Sequence, residues 1–214
     1  MTRFRTVEAI VLRTYDVGEA DRYCILLTRE CGRLPARANG VRKPKSRMGG
    51  CLLPFQRVTA ELTESSAGWL VTGATHRGGS ATGIDAGSFA AAARGFEVLL
   101  RLIQDDEPLP EVFDATLTFL RGCELGMPHM ATAYTLRLLH LLGFLPAEDN
   151  LEALFTLEPG ERTFLQATRE GVFLRDPPEV SIDRLERVCD RFLQDQLSGP
   201  LRAPGVAAAM ERGA

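Results

Sequence analysis

The chain has 214 residues, 45% of them hydrophobic, with 25 Lys+Arg against 28 Asp+Glu and a formal net charge of −3. This excludes a disordered or fibrous chain and allows one large or two small globular domains. No apolar run approaches the ~20 residues of a membrane span and no signal-like stretch opens the chain; Cys24, Cys31, Cys51, Cys123 and Cys189 form no CxxC and no ligand spacing with His76, His129 or His140, so a cytoplasmic protein with reduced thiols, no metal and no membrane partner is expected.

The first 77 residues read as five short strands. Val7 to Tyr15, Arg22 to Thr28 and Arg33 to Asn39 have strand length, and Glu30-Cys31-Gly32 between the second and third is a three-residue hairpin loop. After a loop at 40–50, Leu52 to Leu62 alternates weakly, and Ser65 to Gly68 turns the chain into Trp69 to Thr75. Five strands in this length fit a small barrel better than a sandwich.

From 78 to 87 the glycine-rich composition predicts a linker. The apolar period then becomes helical. Phe89, Ala92, Ala93, Phe96, Leu99, Leu100 and Ile103 share one face, a second helix fits Glu111 to Cys123, and a third fits Pro128 to Leu142, stopped by Gly143. About 163–175 reads as a small hairpin turning at Glu170-Gly171. Ser181 to Leu197 is helical again, and Val206 to Met210 fits a last short turn. The expected class is therefore α+β, with a barrel at 1–77, a linker at 78–87 and a helical domain at 88–214 that carries the hairpin.

Charge divides the same way. Residues 1–57 hold 12 Lys+Arg against 5 Asp+Glu, whereas 58–214 hold 13 against 23. Arg33, Arg37, Arg42, Lys43, Lys45 and Arg47 fall in fifteen residues without an acid, and both lysines of the protein are among them. Alternation along the third strand sends Leu34, Ala36 and Ala38 to one face and Arg33, Arg37 and Asn39 to the other. A cationic groove on a barrel, followed by the mobile loop that Gly, Pro and Ser predict, suits the phosphates of a single-stranded nucleic acid, with Tyr15, Tyr23, Phe55 and Trp69 as candidate stacking faces. Nothing fits an enzyme: Cys123, Glu124 and His129 lack a group to orient the imidazole, and GxSxG, HExxH, GxxxxGK[ST] and GxGxxG are absent.

The run Ala9 to Asp21 (AIVLRTYDVGEAD), Leu27-Thr28, Gly32, Ala38 to Arg42 (ANGVR), Ser46 and Leu53-Pro54-Phe55 resembles the N-terminal barrel of the RecO family of bacterial recombination mediators. Leu138 to Phe144 is similar to that family's central helix with its Leu-Gly-aromatic exit, and Leu197 to Arg202 to its C-terminal stretch. The resemblance implies an OB-fold barrel followed by a helical domain. It further implies a non-enzymatic DNA repair and recombination protein, cytoplasmic and nucleoid-associated, that binds single- and double-stranded DNA, anneals complementary strands, engages single-strand-binding protein and acts with RecR to load RecA. Many members carry a four-cysteine zinc finger after the aromatic exit. Here 146–178 holds no cysteine, so no metal is carried over.

Carried onto this chain, the DNA contacts fall on Arg33, Arg37, Arg42, Lys43, Lys45 and Arg47, with Arg13 and Arg22 flanking the first turn; of the aromatic candidates named above, Tyr23 and Phe55 are the expected base contacts. The resemblance places capture of the single-strand-binding protein's acidic tail on the helical domain. Arg121 and Arg137 beside Tyr134, Leu138 and Leu141 are the candidates, competing with a plain core role for that helix face. The contrasting expectation is an adaptor whose barrel holds RNA or a protein and whose helices scaffold.

Overall fold

A computed structural model describes residues 3–78, 85–147, 150–151, 154–194 and 196. Strands β1 (Phe4–Val17), β2 (Asp21–Thr28), β3 (Gly32–Ala38), β4 (Arg57–Ser65) and β5 (Gly68–His76) close into a barrel in the order β1-β2-β3-β5-β4. The first three strands form a meander, and β4 returns antiparallel to β1. A short parallel pairing of Ala36 with Trp69 and Arg37 with Leu70 shuts the barrel. This is an OB fold. Small and medium side chains such as Ala9, Ala36, Ala38 and Ala60, packed among Val11, Leu26 and Leu62, fill an interior too narrow for larger ones.

Strict alternation along β1 fails at one point, with consequences outside the barrel. Val7, Ala9 and Val11 point into the core. A register shift between Val11 and Arg13 makes Leu12 the extra residue of a bulge, so Val11 opposes Leu26 while Arg13 opposes Ile25 and Tyr15 opposes Tyr23. One inserted residue reverses side-chain parity. Odd positions that pointed inward before the bulge point outward after it, and both Arg13 and Tyr15 are exposed.

The fourth strand begins at Arg57 rather than Leu52. Leu52 drops into the barrel core, and Phe55 takes a left-handed backbone (φ 71°), which no strand continues. The chain divides into one unit of 1–83 with 103–114 and another of 84–102 with 115–214. This differs from a single break at 78–87. In the first unit Asp105 bridges to Arg33, the Asp106 N–H donates to the Arg33 carbonyl at 2.9 Å, and a Cβ on Gly32 would overlap the Glu107 carbonyl.

The helices are α1 (Ala86–Leu102), α2 (Pro110–Glu124), α3 (Met130–Leu141), α4 (Pro159–Arg169) and α5 (Ile182–Gln194). Asp85 caps α1, accepting the Gly87 and Ser88 N–H groups at 2.8 and 3.0 Å and the Ser88 hydroxyl at 2.7 Å. Within the second unit α3 packs against α1, α4 and α5. On its α2 side, Tyr134 stacks on Phe119 with centroids 4.1 Å apart and shares a buried 2.7 Å hydrogen bond with Thr116.

The hairpin expected at about 163–175 is instead mostly α4. Pro159 pre-sets φ in the first turn, Glu161 accepts the Glu158 N–H at 2.9 Å, and Phe164, Leu165 and Thr168 bury one face at helical spacing. Glu170-Gly171 is the stop of that helix, with Gly171 at φ 84°, rather than the tip of a turn. The expectations for Leu197 to Arg202 and Val206 to Met210 lie outside the described residues.

Candidate functional site

The segment between β3 and β4 is a succession of turns held at both ends. Val41 and Leu52 are buried in the barrel core. The Arg42 N–H donates to the Ala20 carbonyl at 2.8 Å, its guanidinium donates to the Gly18 carbonyl at 3.1 Å, and Arg22 donates to the Leu52 carbonyl at 2.9 Å. The expected mobile loop is therefore anchored, against the β1–β2 turn. Its remaining cations project from a fixed base.

The six cations do not behave alike. Arg33 pairs with Asp105, Arg37 with Asp21 at 2.6 Å, and Arg42 with Asp16 at 3.4 Å. Asp21 also accepts the Gly40 N–H at 2.7 Å, and that bond, followed by Arg37, holds its carboxyl below the usual carboxylate range. Lys43, Lys45 and Arg47 are exposed and have no ion-pair partner among the described residues. The window 33–47 is free of acids in sequence. In space the β1–β2 hairpin and the segment after α1 bring acids to three of its arginines. Arg22, buried to 13% side-chain exposure against the loop carbonyls and Asp16, is a brace.

Of the aromatic candidates, Phe55 is buried at 9% exposure, and its N–H donates to the Val11 carbonyl at 2.9 Å. Its place is therefore a clasp on the β1 bulge, and it offers no open face to a base. Trp69 is half-buried with the Arg5 guanidinium 5.6 Å from its ring centroid. Tyr23 is 38% exposed and stands between Tyr15, directly opposite on β1, and Arg37, directly opposite on β3.

The set expected on the helical domain is largely taken up by packing. Tyr134 and Leu138 are fully buried and Leu141 is half-buried. Arg137 donates to the Arg169 carbonyl at the end of α4. Only Arg121 stands well out, paired at 3.2 Å with Glu124. The physical reason is that α3 is apolar on nearly all sides and is enclosed accordingly, so the face assigned to a partner is core. Burial pushes the Cys24 thiol up to about 11 and the Cys123 thiol up to about 12. No helix among the described residues is long and apolar enough to cross a membrane.

An OB barrel carrying an anchored basic loop, joined to a helical unit, defines the class of protein. Residues 1–72 match the family described as Recombination protein O N terminal, and residues 85–153 match Recombination protein O C terminal. The chain belongs to the RecO family. Relatives named DNA repair protein RecO include those of Anaeromyxobacter sp. (strain K), 35% identical over 65% of this chain and 57% of its own length, and Myxococcus xanthus (strain DK1622), 37% identical over 72% and 65%. That of Nocardioides sp. is 35% identical over 70% and 64%. The chain thus spans somewhat under two thirds of the relatives it matches.

Proposed function

We propose that this protein is a non-enzymatic DNA repair mediator that binds single- and double-stranded DNA through the basic loop of its barrel and anneals complementary strands. The observation that carries the reading is the trio Lys43, Lys45 and Arg47, three exposed cations without ion-pair partners among the described residues, on a loop pinned to an OB barrel. Placing such charges on a rigid base reduces the ordering cost of meeting a phosphate backbone, and Arg13 is a further exposed cation on the outer face of β1. Arg33, Arg37 and Arg42 are second-rank contacts, because each would have to exchange an existing carboxylate for a phosphate. Family membership supports the rest: engagement of single-strand-binding protein, action with RecR and indirect service to RecA, in the cytoplasm at the nucleoid. For the acidic tail of single-strand-binding protein, Arg121 is the accessible cation of the helical domain's candidates.

The deciding experiment is annealing of complementary oligonucleotides precoated with single-strand-binding protein. Annealing that persists on the coated strands supports the mediator reading. Failure to anneal, or preference for an RNA competitor, favours an adaptor instead.

A further inference from the structure

Resting on that reading of the basic loop, we propose that Tyr15 and Tyr23 form a stacking platform for unpaired bases, which makes the barrel surface selective for single-stranded over double-stranded DNA. The two rings are directly opposed across β1 and β2, at 50% and 38% exposure. Directly opposed residues on one face have Cβ atoms about 5 Å apart, so the two phenols rise side by side from the same outer face. Neither tyrosine is needed by the interior, which is filled from the other face by Cys24, Leu26 and their neighbours. Tyr15 reaches the outside only because of the bulge at Leu12, since on an unbroken strand it would share the inward parity of Val7, Ala9 and Val11. Bulges that re-aim side chains recur beside functional sites.

The surroundings match one occupant. Arg13 lies two residues before Tyr15 on the same outer face, and Arg37 flanks Tyr23 on β3. The loop that bears Lys43, Lys45 and Arg47 is tied through Arg42 to Gly18, three residues or about 10 Å along the chain from Tyr15. Phosphates on the loop thus leave neighbouring bases within reach of the rings. A duplex, whose bases are stacked on one another, satisfies the cations but has no free base face for the tyrosines.

The test compares the parent chain with Y15A/Y23A, Y15F/Y23F and the loop variant K43A/K45A/R47A. Each is titrated against a single-stranded oligonucleotide, an abasic oligonucleotide of the same length and a duplex. We expect Y15A/Y23A to lose roughly tenfold or more on the single strand, as loss of base stacking implies, with the abasic strand and duplex nearly unchanged and Y15F/Y23F close to the parent. The loop variant loses affinity for all three. Equal binding of the single strand by parent and Y15A/Y23A, with melting curves superimposed, overturns the platform while leaving the loop reading intact. Equal weakening on all three DNAs also overturns it. A loop variant that binds all three like the parent overturns the loop reading, and the tyrosine comparison then stands by itself.

Discussion

Asp21 holds Arg37 at 2.6 Å through one carboxylate oxygen while its other oxygen takes the Gly40 N–H at 2.7 Å. A single acid therefore sets both the turn that opens the basic loop and the direction of an arginine on the proposed DNA face. Asn at this position keeps an oxygen for Gly40 and removes the charge that competes with phosphate. D21N should bind single-stranded DNA several-fold more tightly at low salt, with the log K against log salt slope steeper by about 0.7. Anisotropy titrations at three salt concentrations check this. The Gly40 N–H and then Arg37 hold the Asp21 carboxyl below its ordinary range, which contributes stability in full above about pH 4 that is lost as pH falls through the lower folded value, so acid unfolding of D21N should lack that component.

Lys43, Lys45 and Arg47 should matter for DNA and little for folding. All three are exposed and make no ion pair with a described residue, so K43A/K45A/R47A should shift stability by less than about 1 kcal/mol. Its salt slope on single strands should be shallower by about 2, at roughly 0.7 for each phosphate that is no longer neutralised. A chemical melt beside the titration separates the two effects.

Gly95 in α1 faces the stacked pair Phe119 and Tyr134. A Cβ there would sit 2.5 Å from Phe119 Cζ and 2.9 Å from Tyr134 Cδ1. Alanine favours a helix interior by about 1 kcal/mol, but overpacking a filled core costs about 1–3 kcal/mol, and the neighbours are rigid aromatic rings. G95A should therefore lower the melting temperature. A gain in stability would mean that the rings shift easily.

Cys51 is half-buried, whereas Cys24, Cys123 and Cys189 are buried and their thiols are all pushed up by burial. A thiol-specific disulfide reagent at pH 8 should label Cys51 first in the native protein, and C51S should lack that fast phase. Cys24 and Cys123 lend stability that is full below their ordinary value near 9.0 and is lost as pH rises through about 11 and about 12. The melting temperature should hold up to about pH 9 and decline beyond it.

Strand order could not be read from alternation, yet the strands themselves could, because Leu34, Ala36 and Ala38 against Arg33, Arg37 and Asn39 is a period-2 pattern that burial preserves. The hairpin at 163–175 failed for a local reason: Gly171 marks a reversal in a strand pair and a stop in a helix equally well, and the deciding residues, Pro159 and Glu161, lie upstream of that stretch. In the candidate site, linear charge density marks six cations on β3 and the loop after it, and does not show that three of them are paired with acids. Asp16, Asp21 and Asp105 are 26, 16 and 72 positions from the arginines they pair with, and only the fold brings them together. Tyr15 was legible as an aromatic residue but not as an outward one, because a one-residue bulge leaves no mark in composition. The buried state of Tyr134 and Leu138 follows from α3 being apolar on nearly all sides, with His140 its exposed residue, a sign that weighs against a partner-facing stripe.

The stretch 103–114, which runs from the end of α1 into the first residues of α2, belongs with the barrel although the chain before and after it belongs to the other unit. The polypeptide thus enters each unit twice, and no single cleavage releases either one whole. Expressed alone, residues 1–83 would leave the Gly32-Arg33 edge without the backbone that meets it at Asp105 to Glu107. A grafted or excised barrel would need that distant dodecapeptide supplied as well: a recombination breakpoint in the glycine-rich sequence before Asp85 would hand the daughter chain a barrel with a foreign strap.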